Sequence, residues 1–210
     1  MVIGLIALLV GTLSLSLGDT GGNSLASAQA ILGSLANTAR AQAAVNQTEA
    51  RIYVYAVRPP SGDSDKYLRL LQVFVASPEG STTWVPVGTP TYLPKGVYIV
   101  PNSVTGLLGT GVTWPTNPAP LSSFTSTVAG PSAGQQPTGT AFNAVSAVYY
   151  VQFNSDGSIT PATSPYFKLV VATGALSSSS LPAFDRAGAV RGVLIRPSGG
   201  ISFVNDPYSF

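Results

Sequence analysis

Cysteine and histidine are both absent from these 210 residues. Without cysteine there are no disulfides and no thiolate metal sites. Without histidine the chain lacks the commonest general base and the commonest metal ligand. Most hydrolase and metalloenzyme mechanisms are excluded with them, no haem attachment pattern exists, and neither an enzyme nor a cofactor is expected. Charge is scarce as well, at 9% of residues against about 25% in ordinary soluble domains. The ten basic residues are scattered from Arg40 to Arg196, with no run of Lys or Arg that would track a phosphate backbone, so nucleic acid is not an expected partner.

What the chain has instead is turn chemistry and one long apolar opening. Glycine, proline, serine and threonine are abundant, which gives a neutral, turn-rich surface. The first eighteen residues, MVIGLIALLVGTLSLSLG, carry no charged side chain. As a helix rising about 1.5 Å per residue they would span roughly 27 Å, close to the roughly 30 Å hydrocarbon core of a bilayer. A cleavable signal peptide is the rival reading, since Ala26-Ser27-Ala28 offers a small-x-small pattern. No basic residue precedes the run, however, and Ala28 lies far beyond Leu17. The tail is therefore expected to be retained and to work in the membrane or in an assembly.

Behind it, Gly18-Asp19-Thr20-Gly21-Gly22 places three glycines in five residues, each costing a helix about 1 kcal/mol relative to alanine. A break is expected at Gly18, Gly21 and Gly22. Helical signals return with Asn23 as N-cap and run to Ala50, where Leu25, Ala28, Ile31, Leu32, Leu35, Ala39 and Ala43 recur at spacings of three and four. Ser27, Ser34, Asn37, Thr38 and Gln42 fall largely on other faces. The result is an amphipathic helix with a narrow apolar stripe, small enough in side chain for a facing element to approach closely.

The period then switches to two. Arg51 to Val57 reads as a strand, Ser61-Gly62-Asp63-Ser64-Asp65 as a turn, and Tyr67 to Ala76 as the hairpin partner. Thr83 to Val87 and Val97 to Val100 add strands bounded by Pro or Gly. Residues from about 102 to 142 lack periodicity and read as a long surface excursion. Strands resume at Ala147 to Phe153, and Asp156-Gly157 marks a hairpin into Ser158-Ile159-Thr160. Phe167 to Ala172, Gly192 to Ile195 and, after the turn at Pro197-Ser198-Gly199-Gly200, Ile201 to Val204 complete a meandering antiparallel sheet. The fold class is α+β. The chain divides into residues 1–23, a hydrophobic segment ending in the glycine-rich break; 24–50, an amphipathic helix packing on the head; and 51–210, a β-rich head.

This layout, a hydrophobic N-terminal helix continuing into an amphipathic one and then a sheet, resembles type IV pilins and type II secretion pseudopilins. Val2-Ile3-Gly4-Leu5-Ile6-Ala7-Leu8-Leu9-Val10-Gly11 is similar to the body of the family's prepilin motif. Ser24 to Tyr55 resembles the helix and first strand of pseudopilins like the H-type minor subunit. Tyr149 to Pro161, with Phe153, Asp156-Gly157 and Pro161, is similar to a sheet segment of that subgroup. The family's basic leader and the glutamate at the fifth mature position have no counterpart, Leu5 standing fifth here. The run is read as starting inside the motif, so peptidase cleavage, N-methylation and the glutamate contact are assigned to no residue.

The resemblance implies a structural subunit that polymerises through Val2, Ile3, Gly4, Leu5, Ile6, Leu8, Leu9, Val10, Gly11, Leu13, Leu15 and Leu17. Its partners would be copies of itself in a helical filament, the inner membrane before assembly, and the pilus or secretion machinery. Its place would be an extracellular bacterial filament. Transfer of such a tail from lipid to a filament core is nearly neutral hydrophobically, so packing and small residues such as Gly4 and Gly11 would set the geometry. A minor pseudopilin of a secretion system is the alternative, and a membrane-anchored binding domain or enzyme a third reading.

Few other residues suggest chemistry. Asp63 and Asp65 are a weak cation site, two carboxylates beside Lys66, with a solvated turn the plainer reading. Asp185-Arg186 reads as a surface pair. Asn46-Gln47-Thr48 matches an N-glycosylation pattern, although it falls in the helix, and Ser and Thr between Thr116 and Thr140 are better placed for O-linked sugar. Tyr53, Tyr55, Tyr92, Tyr98, Tyr149, Tyr150 and Tyr166 lie in or beside strands, where aromatic rings pack across a sheet.

Overall fold

The computed structural model describes residues 20–59, 61–77, 83–100, 142, 147–160, 166–176, 182–184 and 189–205. Helix α1 spans Thr20–Asn46, and eight of its 27 residues are alanine, the strongest helix former. It starts three residues before the Asn23 cap signal. Gly21 and Gly22 thus lie in its first turn and do not break it, while Gly18 falls outside the described residues. In a first turn the amide N–H groups have no intrahelical acceptor, and the turns that follow carry the glycines along.

The helix also stops earlier than the pattern to Ala50 implies. Gln47 takes a left-handed backbone with φ of 50°. The Gln47 and Thr48 amides then donate back to the carbonyls of Ala44 and Ala43, at 3.4 and 3.1 Å. This is a Schellman ending with glutamine where glycine is usual.

The strands are β1 (Ala50–Tyr55), β2 (Leu70–Ala76), β3 (Trp84–Tyr92), β4 (Val97–Ile99), β5 (Val148–Phe153), β6 (Ile159–Thr160), β7 (Phe167–Leu176), β8 (Pro182–Phe184), β9 (Val190–Ile195) and β10 (Ile201–Val204). They form not one meander but two antiparallel sheets, ordered β3-β2-β1-β5-β6 and β10-β9-β7-β4, with β8 pairing β7. The fold is α+β, one long helix followed by antiparallel sheets, in the order that the sequence implies.

The split follows from β4. Val97, Tyr98 and Ile99 do not extend the sheet of β3 but pair with Thr173, Ala172 and Val171 of β7. Backbone stitches join the sheets. Leu68, buried and held at φ of 56°, donates to the Tyr55 carbonyl and accepts from the Ile99 amide, each at 2.9 Å. A leucine in that conformation is uncommon and persists because both of its backbone groups are used. At the other end the Ile159 amide donates to the Pro197 carbonyl at 3.0 Å.

The main core lies between α1 and both sheets. Leu25, Ala28, Leu32, Ala36, Ala39 and Ala43 are buried, with Ile31 and Leu35 packed at their margin. They meet the inner face of the first sheet, Ala50, Ile52, Val54, Val73 and Val75, and Val170, Val193 and Ile195 of the second. Burying each such leucine or valine contributes roughly 1.5–3 kcal/mol. A second cluster covers the opposite face of the first sheet. It contains Tyr53, Tyr55, Leu70, Phe74, Ala76, Trp84 and Val148, closed by Phe142, the one described residue of the excursion.

Candidate functional site

The assembly segment inferred from the sequence, Val2 to Leu17, lies outside the described residues; what the structure defines is the helix that follows it. One wall of α1 is sealed against the sheets. The other presents Ser27, Ala30, Ser34, Asn37, Thr38, Ala41, Ala44 and Val45 to solvent, small or uncharged residues among which Arg40 is the lone charge. Among the described residues no helix is long and apolar enough to cross a membrane.

Polar and glycine contacts that the apolar spacing does not reveal fix this helix in place. Gln29 sits within the buried wall, and its Nε2 donates to the carbonyls of Gly192 and Val204, both at 2.8 Å. One carboxamide thereby satisfies backbone acceptors on two neighbouring strands of the second sheet. A turn further on, Gly33 leaves room for Phe203 of β10, since a Cβ built there would stand 2.5 Å from the ring Cζ. Arg40 lies over the hairpin turns at Gly157 and Gly199, whose φ values are 80° and 77°. A Cβ at Gly199 would collide with the Gly157 carbonyl, so these two turns nest only as glycines.

The outer face of the first sheet carries the densest side-chain chemistry. Strict alternation along β1 sends Arg51, Tyr53 and Tyr55 outward and Ile52 and Val54 inward. Tyr53 is ringed edge-on by Phe74, Trp84 and Tyr150 at centroid distances of 5.0, 6.3 and 6.3 Å. The Arg51 guanidinium lies against two rings, its Cζ 4.0 Å from the centroid of Trp84 and 4.5 Å from that of Tyr150. Its Nε donates to Gln152 Oε1 at 2.8 Å and one terminal nitrogen to the Tyr53 hydroxyl at 3.2 Å. Burial pushes the Tyr53 phenol up, against the pull of the neighbouring Arg51 charge. Gln72, also on this face, donates to the Gly88 carbonyl at 3.0 Å where the β2–β3 register slips. No motif pointed to Arg51; the alternation of RIYVY was its only signal.

Asp63 and Asp65 come together as a turn. Asp63 Oδ1 accepts from the Asp65 amide at 2.9 Å and Oδ2 pairs with Lys66 at 3.2 Å, while Asp65 faces Arg69 at 3.8 Å. The Asp65 amide, before Lys66, holds the Asp63 carboxyl below its ordinary 3.8. Among the described residues no group of three or more acidic, His or Cys side chains converges on a metal position. Asn46 ends α1 with its amide donating to the Gln42 carbonyl at 2.9 Å, and Thr48 is buried, so this tripeptide offers no open acceptor loop. Tyr53, Tyr55, Tyr98 and Tyr149 are buried in or beside strands, and Tyr92 and Tyr166 are exposed. Asp185-Arg186 and Thr116 to Thr140 lie outside the described residues. A cleft of about 420 Å³ opens between the end of α1 and edge strand β3, lined by Gln42, Asn46, Thr48, Val75, Ala76, Ser77, Val85 and Val87.

No protein-family model matches the chain, and no curated protein matches it. Among solved structures it is similar to the type IV minor pilin FimU of Pseudomonas aeruginosa in two crystal forms. The first is 14% identical with a TM-score of 0.43, over 89% of this chain and 95% of that one. The second is 15% identical with a TM-score of 0.42, over 90% and 92%.

Proposed function

We propose that this chain is a structural subunit of a type IV pilus-like filament, assembled through Val2 to Leu17. The observation that supports the reading is the join between sequence and fold. An uncharged apolar run leads directly into a helix sealed on one side to two sheets and open, small and nearly uncharged on the other. A segment of that kind suits two apolar surroundings in turn, the inner membrane before assembly and neighbouring tails afterwards. The subunit acts by packing rather than by catalysis, in keeping with a chain that has neither histidine nor cysteine. Its partners are further copies of itself and the machinery that extracts it from the membrane, and its destination is the cell surface. Electron microscopy of material sheared from cells that produce the chain, with N-terminal sequencing of the subunit, tests this. Filaments built mainly of the chain are expected; their absence, with the protein confined to short periplasmic fibres, would favour a minor pseudopilin.

A further inference from the structure

Among the described residues Arg51 is a charge without a countercharge. Two rings lie against its guanidinium, the side chain is half-buried, and no carboxylate pairs with it among the described residues. Residues 101–146, which bring Phe142 to the same face, contain no acidic residue. Two of the five guanidinium donors are engaged, by the neutral oxygens of Gln152 and Tyr53. A cation partly removed from bulk water is ordinarily paired. The two hydrogen bonds also fix the rotation of the group, so its remaining N–H bonds point in a set direction, the geometry that suits a two-oxygen acceptor.

We infer that Arg51, held against Trp84 and Tyr150, is the anchor of a binding site for a carboxylate. A carboxylate supplies two coplanar acceptors to the guanidinium fork and neutralises it. The chemistry serves equally a sugar acid and an acidic side chain, such as that of Asp206, on another copy of this chain. The rings take part by holding the guanidinium, and Gln152 and Tyr53 by fixing its rotation. The site stands on its own geometry and does not depend on filament formation.

The test is a titration of the full-length chain in nonionic detergent, carrying Trp114→Phe so that Trp84 alone reports by fluorescence. The probes are glucuronate, with glucose as its neutral control, and the hexapeptide of residues 205–210 blocked at both ends, with its Asp206→Asn form as the neutral control. A saturable change in Trp84 emission is expected with at least one carboxylate probe and with neither neutral control. Arg51→Gln should weaken it at least tenfold, and Arg51→Lys, which keeps the charge but not the fork, should lie between. The lysine variant also retains the stem packing and decides the matter if the glutamine variant does not fold. Response to glucuronate alone identifies a sugar acid, and response to the Asp206 peptide alone identifies an acidic side chain of another copy of the chain. Three results would overturn the inference: silence with every probe, undiminished binding in Arg51→Gln, or binding that appears only in Glu79→Gln, which would show that the β2–β3 hairpin already supplies the carboxylate.

Discussion

The two faces of the first sheet are built from different vocabularies. The inner face is aliphatic and small, Ala50, Ile52, Val54, Val73 and Val75, and meets a helix whose buried wall is largely alanine. The outer face is aromatic, Tyr53, Tyr55, Phe74 and Trp84, and includes a cation and two glutamines. The difference reflects what must cover each face. A helix 27 residues long can lie close to a sheet only if neither surface carries bulk, so shape is obtained by subtraction. Where no regular element is described over the sheet, large rings supply their own thickness and contact one another edge-on. Close fit therefore governs one side and ring contact the other.

Truncation at the centre of each face breaks this comparison most directly. Phe74→Ala should lower unfolding free energy by about 3–5 kcal/mol and Leu32→Ala by about 2–5 kcal/mol, both measured by denaturant unfolding. The two should differ in where they act: near-UV circular dichroism of the folded protein should change for Phe74→Ala and stay nearly constant for Leu32→Ala. Equal spectral change in both would erase the distinction. Next in size is Gln29→Ala, which leaves the Gly192 and Val204 carbonyls without their donor and should cost about 2 kcal/mol. Hydrogen exchange should then rise in β9 and β10 while β1 and β2 stay protected.

Gly33→Ala sharpens the idea of fit by subtraction. The added methyl meets the Phe203 ring, but Phe203 is 57% exposed and free to swing outward. Alanine favours the helix by about 1 kcal/mol, so the net change should be within about 1 kcal/mol, with the ring displaced in a solved structure of the variant. A loss of several kcal/mol would show that the ring is locked. The smallest effect belongs to Asp63→Asn, in a turn that touches neither face. The folded carboxyl lies below its unfolded value, so its contribution is present above about pH 4 and is lost as pH falls through the folded value. In thermal melts the variant should be slightly less stable near neutrality and should converge with the parent in acid. Solvent screening of this exposed group keeps the difference small.

The β1–β2 hairpin, the Asp156-Gly157 turn, the turn at Pro197 to Gly200 and the helix stripe were legible because each rests on local periodicity or turn chemistry. The division into two sheets was not. β4 is three residues long, and its partner β7 lies more than seventy positions further on, so nothing nearby in the chain marks the pairing. β8 was missed for the same reason of shortness. Gln29 was hidden because a polar residue beside an apolar stripe looks like its edge, when its partners are carbonyls about 170 positions away. The start of α1 was misjudged because Gly21 and Gly22 were weighed by intrinsic propensity, which a long alanine-rich helix outweighs. Arg51 was passed over because a lone arginine in a strand has no motif; its meaning comes from the rings that the register of β3, β1 and β5 brings beside it.

The way α1 is seated has a mechanical consequence. Its contacts run from Leu25 to Ala43 and reach strands of both sheets, so a pull on Thr20 along the helix axis runs parallel to them all. Tension applied through the preceding segment therefore loads these contacts side by side, in shear, instead of opening them one after another as a peel from Asn46 would. A joint loaded in parallel yields only when many contacts fail together, so the head should withstand far more force pulled from its N-terminal end than prised from the other.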